Sequence, residues 1–125
     1  MLGLRVLSPP PAILGALAAV MALGGCDDAA SPVWRGQQVV GRSACGSCHV
    51  IPGAPLADGM VGPSLAGLGQ RAVIGGALPN TAANLALWLR DPQRFAPGGA
   101  MPATALSEAD ARDAAAYLET LRKAP

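Results

Sequence analysis

The segment Ala44–Val50, ACGSCHV, holds two of the chain's three cysteines and its only histidine. Cys45 and Cys48 are three apart, so on one helical turn both thiols face the same way, and the imidazole of His49 follows within reach of the same ligand. Four chemistries use such residues: structural zinc, disulfide exchange, an iron–sulfur cluster and haem. Zinc wants four nitrogen or sulfur ligands, and a thiolate-held cluster is as demanding. Beyond the three residues of this segment the chain offers only Cys26. A thioredoxin-like redox pair belongs in a βαβ setting, which the sequence lacks, and would leave His49 without a task. C-x-x-C-H is the attachment pattern of c-type haem, in which two thiols form thioethers with the porphyrin vinyl groups and the imidazole binds iron. The expected cofactor is therefore one covalent haem c, held by Cys45, Cys48 and His49.

The iron's sixth position decides between an electron carrier and a haem that binds gases or substrates. Met60 and Met101 are the methionines downstream of the cysteine motif. Met60 follows His49 so closely that its loop stays on the histidine side. Met101 is separated from His49 by a helical segment, enough chain to reach the opposite face. Gly98 and Gly99 permit close backbone approach there and Pro102 stiffens the loop. Met101 is the expected second iron ligand.

Three helices must position these groups. Ser31-Pro32 supplies an N-cap and a proline at the first helical position, opening a helix through VWRGQQVVGRSA into the cysteine motif. A second starts near Asn80 or Thr81, places Leu85, Trp88 and Leu89 on one face, and must end before Pro92. A third carries Ala111, Ala114, Tyr117, Leu118 and Leu121 as one apolar stripe behind Ser107 and Asp110, which resemble a capping box. MVGPSLAGLGQR and FAPGGAMPA are dense in glycine and proline and read as loops. No segment alternates as a strand does, so the fold class is all-α with long loops.

Composition explains why such a chain needs a cofactor. It has 125 residues, 51% of them hydrophobic but only 3% aromatic, with 16 glycines and 12 prolines. Small apolar side chains bury little surface, and short chains of this kind need a staple. Several hundred Å² of apolar haem surface would add on the order of 10 kcal/mol of gross burial at ~25 cal/mol per Å². A formal charge of +1, with no basic cluster beyond Arg122-Lys123, argues against nucleic acid as a partner.

The N-terminus reads as a targeting segment. Arg5 is the only charge before Asp27, and Ala12–Leu23 is an apolar run of 12 residues. That run is too short to span a bilayer, which takes about 20 residues, but suits a signal-peptide core. The following LGGC resembles the lipobox of bacterial lipoproteins, which implies cleavage before Cys26, acylation of that cysteine and a membrane anchor. Asp27 resembles the inner-membrane retention signal of enteric lipoproteins. The expected organisation is a signal peptide over 1–25, a lipidated tether over 26–33 and a folded domain over 34–125. Removing residues 1–25 takes away Arg5 alone among the charges and leaves eight basic against eight acidic residues.

The stretch from Trp34 to Leu121 resembles a class I cytochrome c. It is especially similar to the cytochrome c domains of haem-copper oxidase subunit II, through CGSCH, GPSLAGLGQR, LPNTAANLALWLRDPQ and the loop around Met101-Pro102. The resemblance implies three to four helices wrapped around one covalent haem. It also implies that the carbonyl of Pro63, after Gly62, accepts a hydrogen bond from His49, and that Arg71 and Trp88 meet a haem propionate. Gly36 and Tyr117 match the place where the first and last helices cross. The family's aromatic residue five positions before the first haem cysteine is replaced by Val40, which implies a looser crossing or one filled by Trp34.

The implied function is single-electron transfer, without enzymatic chemistry, on the periplasmic side of the bacterial cytoplasmic membrane. The implied partner is a membrane terminal oxidase. A subunit of a periplasmic dehydrogenase is the alternative within electron transfer, and a haem-based gas sensor or small peroxidase is the alternative outside it.

Overall fold

The computed structural model describes residues 31–122. The expected signal peptide, Cys26, the tether as far as residue 30, and residues 123–125 lie outside the described residues. Each longer helix begins where a hydroxyl can take an orphan N–H. Ser31 Oγ accepts from Trp34 N at 3.1 Å and opens α1, Pro32–Arg42. Thr81 Oγ1 accepts from Asn84 N and opens α2, Ala82–Arg90. Asp91 caps the single turn α3, Pro92–Phe95, with Pro92 at its first position. Ser107 Oγ accepts from Asp110 N and opens α4, Glu108–Leu118.

Several details depart from the sequence reading. α1 does not run through to Ala44: it stops at Arg42, and Ala44 turns left-handed at φ 56° before the 3-10 turn Cys45–Ser47. Pro32 stands at the first position of α1, as the Ser31-Pro32 pair implied, so the helix begins inside the stretch 26–33 also counted with the tether. A two-stranded antiparallel ribbon also forms, β1 (Val73–Ile74) with β2 (Leu78–Pro79), pairing Ile74 with Leu78. Strands of two residues are too short to alternate. Only half of the capping box forms, because the Asp110 carboxylate is drawn to Arg42 Nη2 of α1 at 2.7 Å.

The core lies where α1 and α2 pack on α4, around Val39, Val40, Leu85, Leu89, Ala114 and Leu118. α1 crosses α4 at Gly36, where a Cβ would strike the Asp113 carbonyl and the Tyr117 side chain. Arg35 grips Asp113 at the same level through Nε–Oδ2 (2.6 Å) and Nη2–Oδ1 (2.9 Å). Trp34 does not fill this crossing: it is 42% exposed, whereas Val40 is buried. The two are six residues apart and point to different faces of α1.

Candidate haem site

The cysteine turn is shaped by backbone bonds that the next loop provides. The N–H groups of Cys48 and His49 both bond the Cys45 carbonyl, at 3.2 and 3.0 Å. Gly59 N–H then bonds the Gly46 carbonyl, and Gly62 N–H the Cys48 carbonyl at 2.7 Å. Gly59 must lack a side chain, since a Cβ would meet the Ser47 carbonyl. Tyr117 Oη of α4 reaches the Pro52 carbonyl at 3.5 Å. A strand-like bridge between Val50 and Asp58 closes the loop.

This packing puts Cys45, Cys48 and His49 on the wall of a cavity of about 300 Å³. The remaining walls are mostly apolar and come from every part of the fold: Val40 of α1, Leu68, Ile74 of β1, Leu85 of α2 and Leu118 of α4. Met101, Pro63, Arg71 and Trp88 line the same cavity. Of the two candidate methionines, Met60 is 88% exposed and does not line the cavity, whereas Met101 is half-buried against the core.

His49 Nδ1 stands 2.7 Å from the carbonyl oxygen of Pro63. A carbonyl can only accept, so Nδ1 carries the proton and Nε2 keeps its lone pair for a metal. A Cβ at Gly62 would run into the imidazole ring. The Arg71 guanidinium braces the same loop, donating from Nη2 to the carbonyls of Ser64 and Ala66. Trp88 is half-buried, and its six-membered ring lies on Gly75, whose φ of +56° and missing side chain leave room for it.

The donor set fits haem c better than a bare metal. Burial pushes the Cys45 thiol above its ordinary value. Both cysteines are free thiols, and among the described residues no cluster of three His, Cys, Asp or Glu could hold a metal ion by itself. Two thiols on one turn, an oriented imidazole and an apolar cavity match the needs of a porphyrin attached through thioethers.

Two positioning residues were missed in the sequence. Asn80 Nδ2 donates to the carbonyls of Leu68 (2.8 Å) and Arg71 (3.0 Å), fixing the loop that presents Arg71. Gln93 of α3 does the same for the Met101 loop. The available signal was an amide side chain beside a Gly/Pro-rich loop, read at Asn80 as a helix start and, at both positions, as part of the family phrase LPNTAANLALWLRDPQ.

An all-α domain wrapped on a cavity that carries C-x-x-C-H defines a class I c-type cytochrome. Residues 33–122 match the cytochrome c family model, and the chain belongs to that family. It is similar to cytochrome c oxidase subunit 2 of Alkalihalophilus pseudofirmus, 39% identical over 89 residues that cover 70% of this chain and 25% of that protein. Cytochrome c oxidase subunit 2 of Bacillus sp. (strain PS3) is 35% identical over 77 residues, 58% of this chain and 21% of that one. The chain thus spans a quarter or less of the length of these curated relatives. The cytochrome c family to which residues 33–122 belong is one of electron carriers whose cofactor is covalently bound haem c.

Proposed function

We propose that this chain carries one haem c and passes single electrons to a haem-copper terminal oxidase, from a lipid anchor at Cys26 on the periplasmic side of the bacterial cytoplasmic membrane. The observation that carries the reading is His49, held by Pro63 with Nε2 left for iron, on the same cavity wall as Cys45 and Cys48 and with Met101 lining that cavity. In this reading Cys45 and Cys48 hold the porphyrin, His49 and Met101 are the iron ligands, and Arg71 and Trp88 meet a propionate. The haem supplies a one-electron ferrous–ferric couple, at a relatively high potential when histidine and methionine are its ligands. The chain's residues exclude water, fix the imidazole tautomer and hold the methionine loop. We assign the chain no substrate chemistry.

The oxidase partner is supported by the similarity to oxidase subunits. The docking face we assign to it is apolar and lies at the mouth of the cavity. Val61 lines the cavity yet is 74% exposed, and Met60, 88% exposed, precedes it in the same loop. With eight charges of each sign after residue 25, the domain has no net charge to steer a partner at long range. The LGGC motif supports the anchor. From Cys26 to Ser31 six residues reach at most about 20–22 Å at ~3.3–3.6 Å each, which keeps the domain beside the bilayer. High effective concentration then allows a weak, small contact, as electron-transfer encounters usually are.

The test is to replace Cys26 with serine and compare oxidase-linked turnover in membranes with that of the unaltered chain at matched total protein. Release from the membrane with a marked fall in turnover is expected. Equal turnover would refute the tethered reading.

A further inference from the structure

Gln93 of α3 lies half-buried at the cavity edge and addresses the Met101 loop with every polar atom of its side chain. Its amide nitrogen donates to the carbonyls of Gly99 at 2.8 Å and Met101 at 2.7 Å. Its amide oxygen accepts the Gly98 N–H at 3.0 Å. The network also fixes the amide's orientation, because the flipped form would set its oxygen against two carbonyls.

Apart from the packing of Met101 against the core, few other bonds hold the loop. Pro97 and Pro102 have no N–H to give. Gly98, at φ +80°, takes a conformation that costs glycine little. Among the described residues, segment 97–103 makes one backbone–backbone hydrogen bond, from Gly99 N–H to the Ala96 carbonyl at 3.1 Å. The next restraint is Thr104, whose hydroxyl donates to the Leu89 carbonyl at 2.5 Å. Between these points, the hydrogen bond on Met101's own backbone comes from Gln93.

We infer that Gln93 is a latch that sets how long Met101 stays on the iron, a positioning residue acting through backbone carbonyls. The inference rests on Met101 being the sixth ligand. Met101 leaves the iron only if its loop swings out, and the swing requires the bonds to Gly98, Gly99 and Met101 to break together. Without the latch the loop opens more often, and a small external ligand reaches the iron faster. The methionine itself is unchanged, so the resting bond still forms.

The experiment uses the oxidised, haem-loaded protein and follows imidazole binding at saturating imidazole, where methionine departure limits the rate. Two variants of similar size are compared with the wild type. Gln93→Met loses all three bonds; Gln93→Glu keeps only the acceptor for Gly98 N–H and turns a carboxylate toward two carbonyls. Supporting groups around a metal are typically worth about 10- to 100-fold, so Gln93→Met should bind imidazole faster by about that factor, with Gln93→Glu changed in the same direction. The weak far-red absorption of methionine-ligated ferric haem should persist in both variants at rest. Gly36→Ala, which strains the α1–α4 crossing and touches none of the Gln93 hydrogen bonds, should exchange at the wild-type rate.

A wild-type spectrum without the far-red band would overturn the Met101 assignment and the latch with it. A normal band with unchanged exchange in both Gln93 variants would overturn the latch alone, as would equal acceleration in Gly36→Ala.

Discussion

The proton on His49 Nδ1 is committed to the Pro63 carbonyl, 2.7 Å away, and the intervening Gly62 has no side chain because the imidazole occupies that space. An imidazole that donates this bond is a more electron-rich ligand and favours ferric iron. Gly62→Ala should displace the ring from Pro63 and raise the reduction potential. Taking the lost bond as ~1 kcal/mol, the rise is about 40 mV. A redox titration checks it, and an unchanged or lower potential would count against the assigned role of Pro63.

Gly36→Ala should lower the stability of the haem-loaded protein by about 1–3 kcal/mol, the usual cost of forcing a methyl group into a packed contact. The atom it would meet is the Asp113 backbone carbonyl, which cannot move without shifting α4. Urea unfolding followed by circular dichroism measures the loss. A wild-type midpoint would mean that α1 and α4 are not held as tightly as this crossing implies.

How far the sequence could be read depended on the range over which each feature is encoded. Ser31, Thr81 and Ser107 marked helix starts because capping is a contact between residues three apart. The Cys45–His49 turn was legible for the same reason. α3 was not, because four residues carry no helical period, and neither was the ribbon at Val73–Ile74 and Leu78–Pro79. Of the two alternatives the Val40 replacement left open, a looser crossing or one filled by Trp34, the second does not hold, since Trp34 sits on another face of α1 from Val40 and is 42% exposed. Gln93 and Asn80 act on carbonyls that only the folded chain brings to them, and a sequence shows the amide without its target.

Acid should weaken the α1–α4 clamp at a definite point. The hydrogen bonds from Arg35 hold the Asp113 carboxyl below its usual range. A carboxyl with a lowered folded value stabilises the fold above its unfolded value of about 3.9 and loses that contribution as pH falls through the folded one. The stability advantage of wild type over Asp113→Asn should therefore be constant at neutral pH and shrink below about pH 4. An advantage that persisted undiminished to much lower pH would show that the charge of Asp113 is not what matters.

The proposed docking face predicts that Val61→Glu slows electron delivery to a terminal oxidase by about tenfold, equivalent to ~1.4 kcal/mol of lost docking. Added salt should change the wild-type rate only slightly, since apolar contact rather than charge steering carries the encounter. Stopped-flow oxidation by oxidase-containing membranes measures both. A steep fall of the wild-type rate with salt would point to a charged face instead.

One set of absorption and haem-stain measurements tests whether a single haem c is attached at Cys45 and Cys48 and ligated by His49 and Met101. The chain is purified from cells with a working cytochrome c maturation system, its haem content is measured before and after denaturation, and the ferric far-red absorption is compared among wild type, Met60→Ala and Met101→Ala. One haem per chain should survive denaturation, the far-red band should be kept in Met60→Ala and lost in Met101→Ala, and no colour should remain when both cysteines are replaced by serine. A colourless wild-type chain, or a far-red band that disappears with Met60 and survives loss of Met101, would contradict this assignment.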